Sequence, residues 1–320
     1  MSIFAKSKRK GLPKKLHKAL VEFEHQPNQK HSKEILNLIN AINDSMIKEE
    51  YQSENLTEIV NTKIYRDDTV ELLIRLMPFF DQQILNAMST LLQTTIRVFP
   101  DSSLPTFLMN NKGTFDKLVS YLDQPVANTA HILIRTCLKH RPFLIYLYEC
   151  GFVGSFIQYL SGDNFDKLST AFTTYDALLN TYQDSSAEFM MNSWEIFSIQ
   201  FKQLLSSPNY LVQLNFLPIL STFITSEPCR SLFYRYLDDI ENLQLIMILL
   251  RSSSKKVQYR AYTLFKLFVL NPRRTQGVVS ALKKNKSKLV KFLKELVLDD
   301  TDPEYEEEKQ QVISIIEHLR

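Results

Sequence analysis

The sequence predicts an all-α fold built from stacked helical repeats, and three observations predict it. Glycine is scarce, with 6 residues in 320, whereas an average protein contains about 7% glycine. Apolar residues recur at the three- and four-residue spacing of helices, and the alternation typical of strands is nearly absent. One apolar pattern also returns after 45 residues, as from Val212 to Val257.

The repeat is visible when the segments "VQLNFLPILSTFI" and "VQYRAYTLFKLFV" are aligned at this interval. A third copy, "LSTAFTTYDALL", places Phe172 in register with Leu217 and Tyr262, and "ANTAHILI" supplies a weaker fourth copy. A period near 45 residues made of two or three helices is typical of HEAT and armadillo arrays. Each repeat of such an array buries its apolar face against its neighbours. The sequence therefore predicts an armadillo/HEAT-like solenoid with a concave partner-binding face.

Proline marks the ends of the predicted helices, because it lacks the N–H that a helix interior needs. The breaks fall at Pro78, Pro100, Pro142, Pro208, Pro228, Pro272 and Pro303. Residues 1–12 are basic and are predicted to be a flexible N-terminus. Residues 13–320 are predicted to form a single helical-repeat domain.

Charge and cysteine content indicate a soluble cytoplasmic protein. The net charge is +3, which is too small to imply nucleic acid, and no run of 18 apolar residues could span a membrane. The basic N-terminus leads into an amphipathic helix and not into the apolar segment of a signal peptide. Cys137, Cys150 and Cys229 are widely spaced among apolar residues, as expected for buried thiols in a reducing compartment and not for a disulfide framework.

Motifs for catalysis are missing from the sequence. It contains no glycine-rich phosphate loop, no G-x-S-x-G turn, no H-E-x-x-H pair and no cysteine pair at metal spacing. The six histidines include no two that lie three or four residues apart. We therefore expect no catalytic residues, no bound metal and no cofactor.

The repeat copy that begins at Val257 carries more large side chains than one buried stripe needs. A helical wheel with a buried stripe at Val257, Ala261, Leu264, Phe265 and Phe268 leaves Tyr259, Tyr262, Thr263 and Lys266 on the other side. These side chains either pack on the next helix or line a groove for an acidic partner.

A basic cluster follows this helix. It consists of Arg273, Arg274, Lys283, Lys284, Lys286, Lys288, Lys291 and Lys294. Three interpretations remain open: the solvated face of an amphipathic helix, a surface for an acidic peptide or protein, and a nucleic-acid surface, which we do not expect. If the cluster binds a protein partner, we expect Lys288 to be one of the contact residues.

Several segments resemble the calcium-binding protein 39 family, also called the Mouse protein 25 family. They include "FDKLSTAF", "LLSSPNYLVQ", "YLDDIENLQLIMILLR", "KKVQYRAYTLFKLFVLNPRRTQ" and "EEKQQVISIIEHLR". The resemblance is strongest over residues 164–320 and implies an armadillo-type scaffold without catalytic activity.

The resemblance also implies partners and binding residues. Family members bind sterile-20-like (germinal-centre) kinases or related pseudokinases and capture a Trp-Glu-Phe tail in a C-terminal pocket. Met247 and Lys284 match that pocket, and Tyr210 matches the kinase-facing surface, whereas Gln244 stands where family members carry Lys. Leu214, Glu227 and Arg230 also differ from the family's kinase-facing residues, which leaves an armadillo-type adaptor for an unrelated peptide as the alternative. We expect a monomer.

Overall fold

The computed structural model describes residues 11–49, 63–66, 68–99, 101, 103–162, 164–296 and 303–319. These residues form helices and connecting turns without a strand, which confirms the predicted all-α class. The predicted flexible N-terminus lies almost entirely outside the described residues. Contacts divide the chain into two compact units, Met1–Phe152 and Val153–Arg320, which are described separately.

Among its described residues, the first unit contains eight α-helices of seven or more residues. They are α1 (Leu12–His25), α2 (Gln29–Glu49), α3 (Thr69–Leu76), α4 (Gln82–Val98), α5 (Leu104–Asn110), α6 (Lys112–Val119), α7 (Ala127–Cys137) and α8 (Arg141–Glu149). Helices α2, α4 and α7 pack side by side, and α1, α3 and α6 form a second row. The Asn43 amide on α2 donates to the Ala87 carbonyl on α4 over 3.1 Å, which fixes how these two helices align. The division between the units falls within the short helix α9 (Phe152–Ser155).

The second unit is an array of armadillo-like repeats. Its helices are α10 (Phe165–Asn180), α11 (Gln183–Asn192), α12 (Trp194–Leu205), α13 (Tyr210–Ile224), α14 (Arg230–Asp238), α15 (Ile240–Leu249), α16 (Lys255–Leu270), α17 (Gln276–Glu295) and α18 (Pro303–Glu317). Helices α10, α13, α16 and α18 pack in one row, and α12, α15 and α17 pack in another. In the part of the chain that the structure describes, no helix is both long enough and apolar enough to cross a membrane.

The 45-residue period sets where the repeats of this unit begin. Helices α10, α13 and α16 start at residues 165, 210 and 255. Each is preceded by a polar residue whose side-chain oxygen accepts a hydrogen bond from a backbone N–H of the first turn: Asn164, Asn209 and Ser254. Such caps satisfy amide groups that have no partner within the helix. The spacing found in the sequence is therefore the spacing of the helix starts.

The cap at Asn209 also joins two neighbouring repeats. Its amide nitrogen donates to the Gly162 carbonyl over 2.9 Å. Gly162 has a φ of 125°, in the left-handed half of backbone space, which a residue with a Cβ rarely adopts. A glycine is therefore needed at this turn, and the turn presents its carbonyl to the next repeat.

The core of the second unit lies between the helices of the first row. The aligned residues Phe172, Leu217 and Tyr262 are all buried, and so are the next two sets in the same frame: Tyr175, Leu220 and Phe265, then Leu178, Phe223 and Phe268. Aromatic rings also pack between neighbouring helices: the ring centroids of Tyr175 on α10 and Phe216 on α13 lie 6.4 Å apart. This burial confirms the frame, and it also confirms the predicted stripe on α16, where all five residues are fully buried.

Pro218 lies inside α13 and does not end it, unlike the prolines at the predicted breaks. Proline has no N–H, so the carbonyl four residues earlier, that of Leu214, loses its usual helical donor. The Arg260 guanidinium on α16 donates a hydrogen bond to that carbonyl. Burial lowers the pKa of Arg260 from its ordinary value. Arg260 thus compensates for the missing donor and connects two adjacent repeats.

We expect Arg260→Met to destabilise the second unit by about 1–2 kcal/mol, because the carbonyl of the half-buried residue Leu214 loses the guanidinium donor. The cost should fall by roughly 1 kcal/mol in a Pro218→Ala background, because the restored backbone N–H at position 218 can donate instead. Urea denaturation of the wild type, the two single variants and the double variant measures this coupling. An equal cost in both backgrounds would show that the two residues do not act on the same carbonyl.

Candidate functional site

A cleft between α15 and α17 contains two of the residues predicted to bind a partner, Met247 and Lys288. Its volume is about 590 Å³. Sites for small molecules and short side-chain groups typically enclose about 300–1,000 Å³. The cleft is therefore large enough for two bulky side chains.

Helix α15 forms one wall of this cleft. Its N-terminus is fixed by Asp239, whose carboxylate accepts from the Glu241 amide over 2.9 Å. Three residues on one face of α15, at spacings of three and four, line the wall: Gln244, Met247 and Ile248. The turn that follows the helix adds two more, Leu250 and Arg251. Leu250 is buried, Met247 is half-buried, and Ile248 is 65% exposed. An apolar side chain as exposed as Ile248 is available to a partner.

Helix α17 forms the other wall with the same spacing. The contributing residues are Asn285, Lys288, Leu289 and Phe292. Leu289 is buried and Phe292 is half-buried, and both line the cleft. Thr275 caps the start of α17, since its hydroxyl accepts from the Val278 amide over 3.4 Å.

The charged residues that line this cleft are all positive. Arg251 and Lys288 are exposed at its rim, and none of its described lining residues carries a carboxylate. The interior is formed by Met247, Leu289 and Phe292, together with Leu250. An apolar interior with a cationic rim suits a ligand that joins large apolar groups to an anion.

Lys284 does not line the cleft. It is exposed on α17, four residues before Lys288, and so lies on the same side of the helix one turn away. The rim position predicted for Lys284 is therefore held by Lys288, and Lys284 can add only longer-range attraction. Arg251, Leu289 and Phe292 were not predicted, although their spacing from Met247 and Lys288 is the signal that could have identified them.

The structure corrects the placement of Tyr262 and Lys266. Tyr262 is fully buried, and burial raises the pKa of its phenol. The Lys266 ammonium lies 2.7 Å from the Glu308 carboxylate on α18 and forms an ion pair with it. The single-stripe wheel failed because α16 packs against α13, α15 and α18, so its buried arc is wider than one stripe. Packing on the next helix, one of the two predicted alternatives, describes both residues.

Tyr259 and Tyr210 remain accessible, with exposed fractions of 37% and 54%. Tyr210 is the first residue of α13, exactly one repeat after the exposed Phe165 that begins α10. Neither tyrosine lines the cleft between α15 and α17. The predicted groove of Tyr259, Tyr262 and Lys266 is therefore reduced to Tyr259 alone.

Comparison with known proteins gives the family context of this cleft. A sequence profile described as Mo25-like matches residues 2–320. A Mo25-like protein of Schizosaccharomyces pombe is 32% identical over 269 residues, covering 83% of this chain and 82% of the relative. A calcium-binding protein 39-like protein of Homo sapiens is 31% identical over 207 residues, covering 64% of this chain and 61% of the relative.

Solved structures with a similar chain path include a designed armadillo repeat protein, YIII(Dq)4CqI. It is 13% identical, covers 80% of this chain and 99% of its own, and superposes with a TM-score of 0.43. The armadillo-like assignment rests on the helix rows and the 45-residue spacing of their starts.

Proposed function

This chain belongs to the Mo25-like family, and we propose that it is a non-catalytic scaffold for a sterile-20-like kinase or related pseudokinase. In this proposal the cleft between α15 and α17 holds a partner tail of the Trp-Glu-Phe type, and the scaffold favours the active conformation of the kinase. Family membership supports an armadillo-type scaffold. The observation that carries the finer proposal is the apolar cleft with Arg251 and Lys288 at its rim.

Two aromatic side chains of the tail would supply most of the affinity. Burying 150–250 Å² of apolar ring surface stabilises a complex by roughly 4–6 kcal/mol per ring before the costs of ordering are subtracted. Met247 and Phe292 offer an adaptable thioether and a ring as contacts. Binding residues of this kind dominate interfaces when they are fully desolvated.

The acidic residue of the tail would be oriented at the rim. Lys288 and Arg251 are exposed, so an ion pair with either is screened by water and contributes about 0–1 kcal/mol. Gln244, which replaces a family lysine, also lines the cleft and can donate a neutral hydrogen bond. Although position 244 lacks the family lysine, Arg251 and Lys288 still provide two positive charges at the same rim.

The free cysteines support a location in the cytoplasm as part of this proposal. Cys137 and Cys229 are buried, and burial raises the pKa of each thiol. Cys150 is exposed, so the prediction of a buried thiol is wrong at this position. A buried thiol with a raised pKa reacts slowly and is typical of a structural cysteine.

The kinase proposal is tested by capturing partners from native lysate on the immobilised wild-type chain and on the Met247→Asp variant, with quantitative mass spectrometry. We expect a sterile-20-like kinase or pseudokinase to be enriched on the wild type. The activity of the captured kinase on a peptide substrate should rise when purified wild-type chain is added. Enrichment of other proteins without any such kinase would instead favour the alternative, an armadillo-type adaptor, and contradict the proposal.

A further inference from the structure

Exposed apolar residues are concentrated on two neighbouring helices of the second unit, α12 and α15. Ile196 and Ile199 on α12 are 56% and 66% exposed, and Ile240 and Ile248 on α15 are exposed as well. These four residues, the isoleucine patch, are half of the eight large apolar or aromatic side chains that are exposed in the described part of the chain. A cluster of exposed apolar side chains is typical of an interaction surface.

The four isoleucines face the same side of their row of helices, in which α12 and α15 are neighbours. Ile196 and Ile199 are three residues apart, so they share one face of α12. Ile240 and Ile248 lie four residues before and after Gln244, so these three share one face of α15. The 45-residue period places Ile199 in register with Gln244, and equivalent positions of stacked repeats face the same side.

The isoleucine patch is continuous with the cleft between α15 and α17. Ile248 belongs to both, and Gln244, one turn earlier on α15, also lines the cleft. The apolar interior of the cleft at Met247 is therefore joined to the exposed isoleucines of α12 across the single helix α15. A ligand held in the cleft can extend over α15 and make further apolar contacts.

Charged side chains beside the isoleucine patch are already paired with one another. The Arg235 guanidinium donates to the Glu195 carboxylate over 3.0 Å. The Lys202 ammonium lies 2.7 Å from the Asp239 carboxylate and 2.5 Å from that of Glu241. A charged ligand group placed on the patch would lose water without gaining an unpaired counter-charge from these groups, which is costly. The ligand segment that suits the patch is therefore apolar and uncharged.

We propose, on the premise of the proposed function, that the isoleucine patch binds apolar side chains of the partner tail just before its Trp-Glu-Phe end. Such a tail stops at its phenylalanine, so only the residues before the tryptophan can continue out of the cleft. Packed helices lie about 8–10 Å apart, and an extended chain covers about 3.3 Å per residue. The second and third residues before the tryptophan therefore reach from the cleft, across α15, to α12.

Two peptides with a fluorescent label at the N-terminus test this inference by anisotropy. One is Ser-Leu-Leu-Ser-Trp-Glu-Phe, and the other is Ser-Ser-Ser-Ser-Trp-Glu-Phe. We expect the leucine peptide to bind the wild-type chain about 5- to 20-fold more tightly, because two more apolar side chains leave water. The advantage should persist at about 0.5 M NaCl, since the added contact involves no charge.

Replacing Ile196→Ser together with Ile199→Ser should reduce the advantage of the leucine peptide to about twofold or less. The serine peptide should bind this variant and the wild type equally, which also shows that the cleft is intact. The matched control, Phe79→Ser with Phe165→Ser, replaces two other exposed apolar residues and should keep the full advantage. A peptide that begins at the tryptophan does not reach α12, so substitutions at Ile199 should leave its binding unchanged.

Two outcomes would overturn this inference alone: equal binding of both peptides by the wild type, and an advantage that persists in the double isoleucine variant. Sedimentation equilibrium tests a different occupant, a second copy of this chain. A wild-type dimer that the double isoleucine variant abolishes would assign the patch to self-association and contradict the inference. Failure of both peptides to bind would instead overturn the proposed tail cleft, and with it the premise of this inference.

Discussion

Replacing Phe265 with alanine is expected to lower the free energy of unfolding of the second unit by about 3–5 kcal/mol. Phe265 is fully buried on α16, which packs against α13, α15 and α18. The cavity would therefore border several helices, and the loss should spread to adjacent repeats that share the interface. A domain is typically stable by about 5–15 kcal/mol, so this single change removes a large part of the total.

Urea denaturation measures the loss, and hydrogen exchange in α13 and α18 shows whether it spreads. Phe165→Ala is the matched control, because Phe165 is 59% exposed at the start of α10. That control should cost less than about 1 kcal/mol. A Phe265→Ala loss no larger than that of the control would mean that the predicted core is misplaced.

Met247→Asp should weaken binding of a Trp-Glu-Phe peptide about 100-fold or more, which corresponds to about 2.8 kcal/mol. The substitution removes an apolar contact and puts a carboxylate beside the proposed aromatic rings, where its desolvation is costly. Because the lost contact is apolar, most of the effect should persist at high salt. Fluorescence anisotropy with a labelled peptide measures it.

Two further variants separate the effect of the cleft from a general effect of charge. Ile199→Asp places a carboxylate on another exposed apolar residue, on α12, outside the cleft, and should leave affinity within about twofold. Lys288→Ala should weaken binding by about 1 kcal/mol or less and reduce its salt dependence, with Lys284→Ala doing less. Equal affinity of Met247→Asp and wild type would remove the cleft from the proposed function.

Much of the fold could be predicted from the sequence because two independent signals mark the repeat. The apolar frame through Phe172, Leu217 and Tyr262 shows which helices are equivalent. Polar capping residues spaced 45 residues apart fix where those helices begin: Asn164, Asn209 and Ser254. Local capping and long-range packing therefore agree on one period, and the prediction succeeded where both signals were present.

Of the two alternatives predicted for Tyr262, the groove is wrong, and the reason is related. A helical wheel assumes one buried side, but α16 has three helical neighbours, and their number cannot be read from the helix alone. The repeat frame already aligned Tyr262 with Phe172 and Leu217, and that signal was the better guide. The hydrogen bond from the Arg260 guanidinium to the Leu214 carbonyl could not be predicted either, because it joins residues 46 positions apart.

The candidate site was predicted in part. Met247 and Lys288 line the cleft, whereas the place of Lys284 is one turn away. The apolar partners Leu289 and Phe292 look like ordinary core positions of an amphipathic helix. Only the packing of α15 beside α17 turns them into the wall of a cleft.

The most direct test of the central claim is an NMR spectrum of protein labelled at the methionine methyl groups, recorded while a peptide ending in Trp-Glu-Phe is added. Of the 8 methionines, Met247 lines the cleft, whereas Met88 and Met190 are fully buried elsewhere. The account predicts a saturable shift of the Met247 signal, caused by the aromatic rings of the peptide, with Met88 and Met190 unchanged. The same peptide with both aromatic residues replaced by alanine should cause no shift. Binding of the Trp-Glu-Phe peptide without a shift at Met247, or no binding at all, would contradict the account.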